Sequence, residues 1–225
     1  MTALEPAFFE CDALTLARKL LGKVLRRRWQ GEWLAARIIE TEAYLLEDKG
    51  SHASLGFTHH RRALFMSGGT IYMYYARGGD SLNIGADGPG NAVLIKSGHP
   101  WQDDVSGPAA LARMQALNPD SRGGMRAPER LCAGQTLLCR ALALKVPDWT
   151  ARTFEPDEVY LDDVGVTMTR IVQTTRLGIP SGRDEALPYR FVDPDYARYC
   201  TRNPLRRGQL PGQHYTWIDA QGNAA

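Results

Sequence analysis

The sequence lacks any apolar run long enough to cross a bilayer, and internal repeats, low-complexity tracts and Ser/Gly linkers are also missing from its 225 residues. Its first residues, Met-Thr-Ala-Leu-Glu-Pro, carry an acidic side chain and no signal-peptide pattern. With 44% apolar residues, the chain can bury a substantial core. These features predict a soluble, cytoplasmic protein whose residues 1–225 form a single domain.

Cysteine is scarce, and its four residues form no Cys-x-x-Cys pair. Cys132 and Cys139 lie seven positions apart in a stretch predicted to be helical, which would place both on one helix face. Together with Cys11 and Cys200 they are expected to be buried thiols, in preference to zinc ligands or a disulfide.

Charge of either sign is nearly balanced, and a net charge of +2 identifies no partner. The basic residues are locally clustered, at 26–28, 59–62 and 206–207. Short basic runs are usually solvated faces, but they are also compatible with a phosphate-backbone partner.

Periodicity and turn signals predict hairpin-connected strands with helices before and after them. Asp12 is expected to cap a helix that ends at Gly22, and Gln30-Gly31 is expected to form a tight hairpin turn. Strands are predicted at 23–29, 32–44, 70–75, 81–85 and 91–97, and near 158–161 and 168–173. Further helices are predicted at 108–117 and 129–144, and a polar, flexible tail from about residue 203. This order favours an α+β fold with a mainly antiparallel sheet.

Residues 37–44 combine a strand pattern with two carboxylates. Because side chains alternate across a strand, Glu40, Glu42 and Tyr44 should share one face. The opposite face would carry Ile39, Thr41 and Ala43. A buried carboxylate without a partner is costly, so each of the two needs a partner or a function.

The residues alone leave three interpretations of this pair open. The carboxylates could pair with Arg37 or another arginine on the sheet. They could join a metal site, although the hard ligands Glu42, Glu47, Asp48 and His52 match no specific metal signature. One of them could act as a general base toward water.

Tyrosines form a second pattern, because Tyr72 and Tyr74 should share a face of their strand while Tyr75 points the other way. Such a stripe is common in packed cores. Together with Tyr44 and His52, it would instead line a slot for a flat ring, and electron-rich rings favour a cationic one.

The run Arg-Ile-Ile-Glu-Thr-Glu-Ala-Tyr at 37–44 resembles the signature of the alkyladenine (methylpurine) type of 3-methyladenine DNA glycosylases. The resemblance covers most of residues 8–195 and continues, in order, through 65–74, 82–84, 92–95 and 131–134. It implies a fold like the C-terminal domain of formyltransferases, in which helices surround a curved, mainly antiparallel sheet.

Residue by residue, the resemblance implies that Glu42 is the general base that activates water against C1′ of a flipped nucleotide. It implies that Tyr44, His52 and Tyr74 sandwich the damaged base, with His52 reached through a loop one residue shorter than in the family. Asn83 falls on the pocket asparagine that helps to discriminate among purines.

The chain departs from the family at two positions that bear on its function. Lys96 replaces an arginine near the catalytic water, which keeps the charge but loses the planar fork. Arg77 stands where many members carry a wedging tyrosine, so it is expected either to fill the gap left by the flipped nucleotide or to be an exposed turn residue. Together with Tyr72, Arg77 is expected to contact the DNA.

The implied activity is that of a monofunctional DNA glycosylase, a monomer that excises alkylated purines from double-stranded DNA and is nucleoid-associated in a bacterium. No metal or organic cofactor is implied. Two alternatives remain open. A non-catalytic damaged-DNA binding module would keep the slot without turnover, and a metal-dependent hydrolase would use Glu42, Asp48 and His52.

Overall fold

Nine β-strands form one sheet within residues 2–76 and 78–224, the part of the chain that the computed structural model describes. All of the ladders between these strands are antiparallel. The strands are β1 (Val24–Trp29), β2 (Glu32–Tyr44), β3 (Ile71–Ala76), β4 (Gly79–Gly85), β5 (Ala92–Pro100), β6 (Val159–Asp162), β7 (Ile171–Thr174), β8 (Arg190–Val192) and β9 (Thr216–Ile218).

The long strand β2 is the centre of this sheet. The path runs β3-β4-β5-β2-β8-β7-β9, and β1 pairs with β2 and with β6. Among the described residues, four α-helices accompany the sheet: α1 (Ala13–Leu20), α2 (Pro108–Leu117), α3 (Gln135–Ala141) and α4 (Val146–Trp149). The predicted α+β class is confirmed. In the described residues, no helix is both long and apolar enough to cross a membrane.

The first helix and the first hairpin form as predicted. The Asp12 side chain accepts a hydrogen bond from the Thr15 N–H at 2.9 Å and so caps α1. Gln30 and Gly31 both have positive φ, 49° and 88°, as a two-residue type I′ turn requires. This hairpin places β2 beside α1, where the Thr41 hydroxyl donates to the Ala17 carbonyl at 2.9 Å.

Two β-bulges break the simple alternation that was expected along β2. The register passes from Ile38↔Gly98 to Glu40↔Ser97 and then to Thr41↔Ile95, so Ile39 is an extra residue on β2 and Lys96 on β5. Ile39 consequently packs with Val192 and Cys200, away from the main core that takes Ala43. Its expected position on the face of Thr41 and Ala43 is therefore wrong.

The helix predicted at 129–144 is also wrong in its extent. A 3₁₀ turn occupies Pro128–Arg130, and the α-helix covers only Gln135–Ala141. Gly134 separates the two with φ 131°, outside helical values. Cys132 thus precedes the helix that contains Cys139, and the two share no helix face. All four cysteines are free thiols, of which Cys11 alone is partly exposed.

The C-terminal part of the chain contains strands that the sequence did not predict. β8 and β9 have three residues each, too short to produce a pattern of alternation. β9 pairs with β7, so this part of the predicted flexible tail is held in the sheet. β8 pairs with β2 at Glu40, Thr41 and Glu42 and places Arg190 beside the two carboxylates.

Candidate active site

The bulge at Lys96 brings a cation to the carboxylate of Glu42. Leu94 lies directly opposite Glu42, and Lys96 follows two positions later on the same strand. The Lys96 Nζ lies 3.3 Å from Oε1 and 3.5 Å from Oε2 of Glu42. Lys96 is 5% exposed and Glu42 fully buried, so this ion pair is largely shielded from solvent.

Two further donors fix the Glu42 carboxylate. The Leu177 N–H donates to Oε1 at 3.0 Å, and the Tyr44 hydroxyl donates to Oε2 at 2.8 Å. Burial, and next the Glu42 charge, raise the pKa of the Tyr44 hydroxyl well above its usual value, so the phenol stays protonated and donates. Glu42 is therefore oriented and covered by three groups.

Those covering groups line a cavity of about 330 Å³. Tyr44, Lys96 and Leu177 form the part of its wall that lies over Glu42. Most of the remaining lining comes from three segments of the chain, 50–55, β3 with β4, and 177–183, and Leu64, Ala92, Leu94 and Gln135 complete it. The cavity is open to solvent and large enough for a nucleobase.

His52, Tyr72 and Tyr74 form an aromatic cluster in this wall. The ring centroids of His52 and Tyr74 lie 4.5 Å apart at an interplanar angle of 66°, and those of Tyr72 and Tyr74 lie 5.8 Å apart. Tyr72 and Tyr74 thus share a face as predicted, while Tyr75, on the opposite face, is 68% exposed. The Tyr72 hydroxyl lies 3.0 Å from His52 Nδ1 and helps to orient that ring.

Tyr72, which is expected to contact DNA, lies in the wall of the cavity. The side chain is only 4% exposed, and burial is the main reason that the pKa of its hydroxyl is raised to about 12. Arg77, the other expected DNA contact, lies outside the described residues.

Asn83 lines the same cavity from β4. It is 5% exposed, and its Nδ2 donates to the Tyr72 carbonyl at 3.1 Å, which fixes the amide plane. Gln135, the first residue of α3, also reaches the cavity and donates to the Ser81 hydroxyl at 2.8 Å. The sequence did not single out Gln135.

Arg176 is a second residue near the site that the sequence did not single out. Its guanidinium lies over the Tyr44 ring, with Cζ 4.6 Å from the centroid, and donates to the Ala43 carbonyl at 3.1 Å. It also forms a fully buried ion pair with both carboxylate oxygens of Asp48. This Arg176–Asp48 pair joins the loop after Tyr44 to the segment whose Leu177 N–H holds Glu42.

Glu40 has an arginine partner, as expected for a structural carboxylate. Arg190 Nε donates to its Oε1 at 2.6 Å, while Oε2 accepts from the Ser97 hydroxyl and the Thr201 N–H. Arg37, which had been considered as the partner, pairs instead with Asp193. The two carboxylates of the strand are thus separated by their neighbours, one held by Arg190 and the other by Lys96.

Glu42, Asp48 and His52, three of the residues considered as metal ligands, are engaged by other groups. Asp48 is paired with Arg176 and accepts from the Gly50 N–H at 2.8 Å, and His52 faces the Tyr72 hydroxyl. No cluster of three or more His, Cys, Asp or Glu side chains with metal-binding geometry occurs among the described residues.

Comparison with known proteins places the chain in a family. The family model for methylpurine-DNA glycosylases matches residues 7–197. Proteins named "Putative 3-methyladenine DNA glycosylase" from Pseudomonas syringae pv. tomato and Pseudomonas aeruginosa are each 66% identical to this chain. They cover 98% and 97% of this chain, which in turn covers 99% and 91% of theirs. A protein of the same name from Methanocella arvoryzae is 33% identical over 91% of this chain and 98% of its own length.

Proposed function

Because the chain belongs to the methylpurine-DNA glycosylase family, we propose that it is a DNA glycosylase that removes alkylated purines such as 3-methyladenine and 7-methylguanine from double-stranded DNA. The observation that carries this proposal is a buried carboxylate, Glu42, placed directly behind an aromatic cavity that is large enough for a nucleobase. Excision from a duplex requires that the damaged nucleotide be flipped out of the stack into such a cavity.

Glu42 is assigned as the general base. The contacts to Lys96, at 3.3 and 3.5 Å, are the longest that the carboxylate makes, so a water can compete for that position. Glu42 would take the proton of this water as its oxygen attacks C1′ of the flipped nucleotide. Lys96 would hold the same water by its charge, in the position where the family resemblance implies an arginine.

The leaving group needs little help from an acid. An N-alkylated purine carries a positive charge, and breaking the bond between C1′ and N9 returns the electron pair to the ring, which leaves as a neutral base. A single base, Glu42, can therefore suffice where a glycosidase of neutral sugars uses two carboxylates. The reaction is a monofunctional hydrolysis, and none of its steps draws on a metal or organic cofactor.

The aromatic residues would hold the flipped base. His52 and Tyr74 contact each other and form one wall, and Tyr44 would form the opposite one, with Arg176 behind its ring. Stacking on aromatic side chains stabilises a nucleobase by about 1–3 kcal/mol per contact. Asn83 would test the base edge, because its Nδ2 is engaged by the Tyr72 carbonyl and its Oδ1 can accept from a purine amino group.

The proposal is tested by incubating the purified protein with methylated duplex DNA in EDTA and analysing the released bases by chromatography. Free 3-methyladenine, with an equal number of abasic sites in the DNA, is the expected result. Tight binding of the lesion without release would identify a damaged-DNA binding module instead. Release that EDTA abolishes would favour the metal-dependent hydrolase.

A further inference from the structure

Two arginines beside the cavity carry charges that no carboxylate neutralises within the described residues. Arg183 lines the cavity itself. Arg61 lines a neighbouring groove of about 620 Å³, which shares His52, Tyr72 and Tyr74 with the cavity. The arginine ion pairs of the described chain involve other residues, namely Arg26, Arg37, Arg152, Arg176 and Arg190.

Backbone carbonyls hold both guanidinium groups in place. Arg61 donates from Nε to the Gly56 carbonyl at 2.9 Å and from Nη2 to the Leu55 carbonyl at 3.1 Å. Arg183 donates from Nε and Nη2 to the Lys49 carbonyl at 2.8 and 2.5 Å. Carbonyl partners orient a guanidinium without cancelling its charge, so each group keeps Nη1 available for an anion.

Both charges act on the same part of the cavity wall. Burial is the largest cause that lowers the pKa of His52, and the charges of Arg61 and Arg183 lower it further. The two arginines therefore lie close to the ring that is proposed to stack on the flipped base. Leu55 and Phe57, on the segment that holds Arg61, are 58% and 66% exposed and add apolar surface there.

We infer that Arg61 and Arg183 bind backbone phosphates of the DNA strand, next to the flipped nucleotide. This inference rests on the proposed function, because only a nucleotide drawn into the cavity would bring its neighbouring phosphates to these positions. Guanidinium groups with preset geometry suit phosphate oxygens, and such contacts position the duplex without reading its sequence. The two residues are far apart in sequence, but each lines a cavity whose wall includes His52.

The test is the salt dependence of DNA binding. Fluorescence anisotropy would give the dissociation constant of a duplex with a tetrahydrofuran abasic analogue for wild type, Arg61→Ala, Arg183→Ala and Arg183→Lys. Arg113→Ala is the control, since Arg113 is exposed on α2 and lines neither cavity. Each phosphate contact contributes about 0.9 to the slope of log K against log salt, or roughly 3.5-fold in affinity between about 50 and 200 mM salt.

Arg61→Ala and Arg183→Ala should each lower the magnitude of the slope by about one, while Arg183→Lys and Arg113→Ala keep the wild-type slope. Unchanged slopes in both Ala variants would overturn the inference while leaving the proposed function intact. If wild type binds the duplex but excises nothing, the proposed function fails and the slopes still decide the phosphate contacts. Absence of any binding by wild type would overturn both.

Discussion

Replacing Arg176 by lysine should separate the stability of the protein from the geometry of its cavity. In the structure the guanidinium serves four acceptors at once: both oxygens of Asp48 and the carbonyls of Ala43 and Asp184. A lysine keeps the charge but cannot span these positions. Hydrogen bonds to a charged group contribute about 1.5–3 kcal/mol each, so the loss of one or two predicts a decrease of about 1.5–6 kcal/mol in the free energy of unfolding.

The same substitution should slow excision beyond what the lost stability explains. Arg176 packs behind Tyr44 and begins the segment whose Leu177 N–H holds Glu42. A displacement of about 1 Å between reacting groups costs on the order of 100-fold in rate. We therefore expect the single-turnover excision rate of Arg176→Lys to fall roughly 10- to 100-fold in quench-flow experiments, well below the melting temperature.

The chain supplies a matched control for this variant. Arg37 pairs with Asp193 at 2.7 Å and lies over Tyr196 with Cζ 4.6 Å from the ring centroid, the same separation as that of Arg176 from Tyr44. Arg37 lines neither of the two cavities beside His52. Arg37→Lys should therefore lose stability in denaturant unfolding and keep the wild-type excision rate.

Hydrogen exchange gives a readout of the same change that does not depend on catalysis. The Leu177 amide should exchange faster in Arg176→Lys than in wild type, because its bond to Glu42 weakens, and should be unchanged in Arg37→Lys. An excision rate within twofold of wild type in Arg176→Lys, with normal Leu177 protection, would refute the reasoning.

Three further predictions concern the walls of the cavity and the thiols. Tyr74→Ala should slow excision of 7-methylguanine about tenfold, by loss of stacking, whereas Tyr75→Ala, on the exposed face, should not alter single-turnover rates; equal effects would count against the slot. The pKa of His52, depressed chiefly by burial and then by the arginine charges, should rise toward its usual value in Arg183→Ala; an unchanged NMR titration would contradict this. The depressed pKa means that the folded state favours the neutral His52 ring. The stability that this ring contributes is therefore present above about pH 6.5 and is lost as the pH falls below that value. Native protein should react with a thiol reagent at Cys11 only, because the other three cysteines are buried; rapid labelling of more than one thiol would contradict the packing.

The site residues that the sequence predicted come either from patterns within single segments or, for Asn83 and Lys96, from the family resemblance. Glu42 and Tyr44 were identified because charge in a strand pattern is visible within a few residues. The arginine partner of Glu40 was expected from the cost of a buried carboxylate, although which arginine it would be was not. The hairpin and the α1 cap follow equally from neighbouring residues.

The parts that the sequence missed depend on residues far apart along the chain. The bulges at Ile39 and Lys96 arise from the register between β2 and β5, which no single segment contains. Arg176 acquires its role only when the fold brings it to Asp48, and Arg190 belongs to a strand of three residues. The helix predicted at 129–144 begins only after Gly134, whose positive φ apolar periodicity alone cannot reveal.

The central claim is that Glu42 activates the water that attacks the flipped nucleotide. Its most direct test is the single-turnover rate of Glu42→Gln on a duplex with one 7-methylguanine, measured together with its affinity for the same DNA. A positioned general base contributes about 10²- to 10⁴-fold, so the rate should fall at least about 100-fold while the dissociation constant stays within a few-fold of wild type. Excision by Glu42→Gln at the wild-type rate would contradict the account.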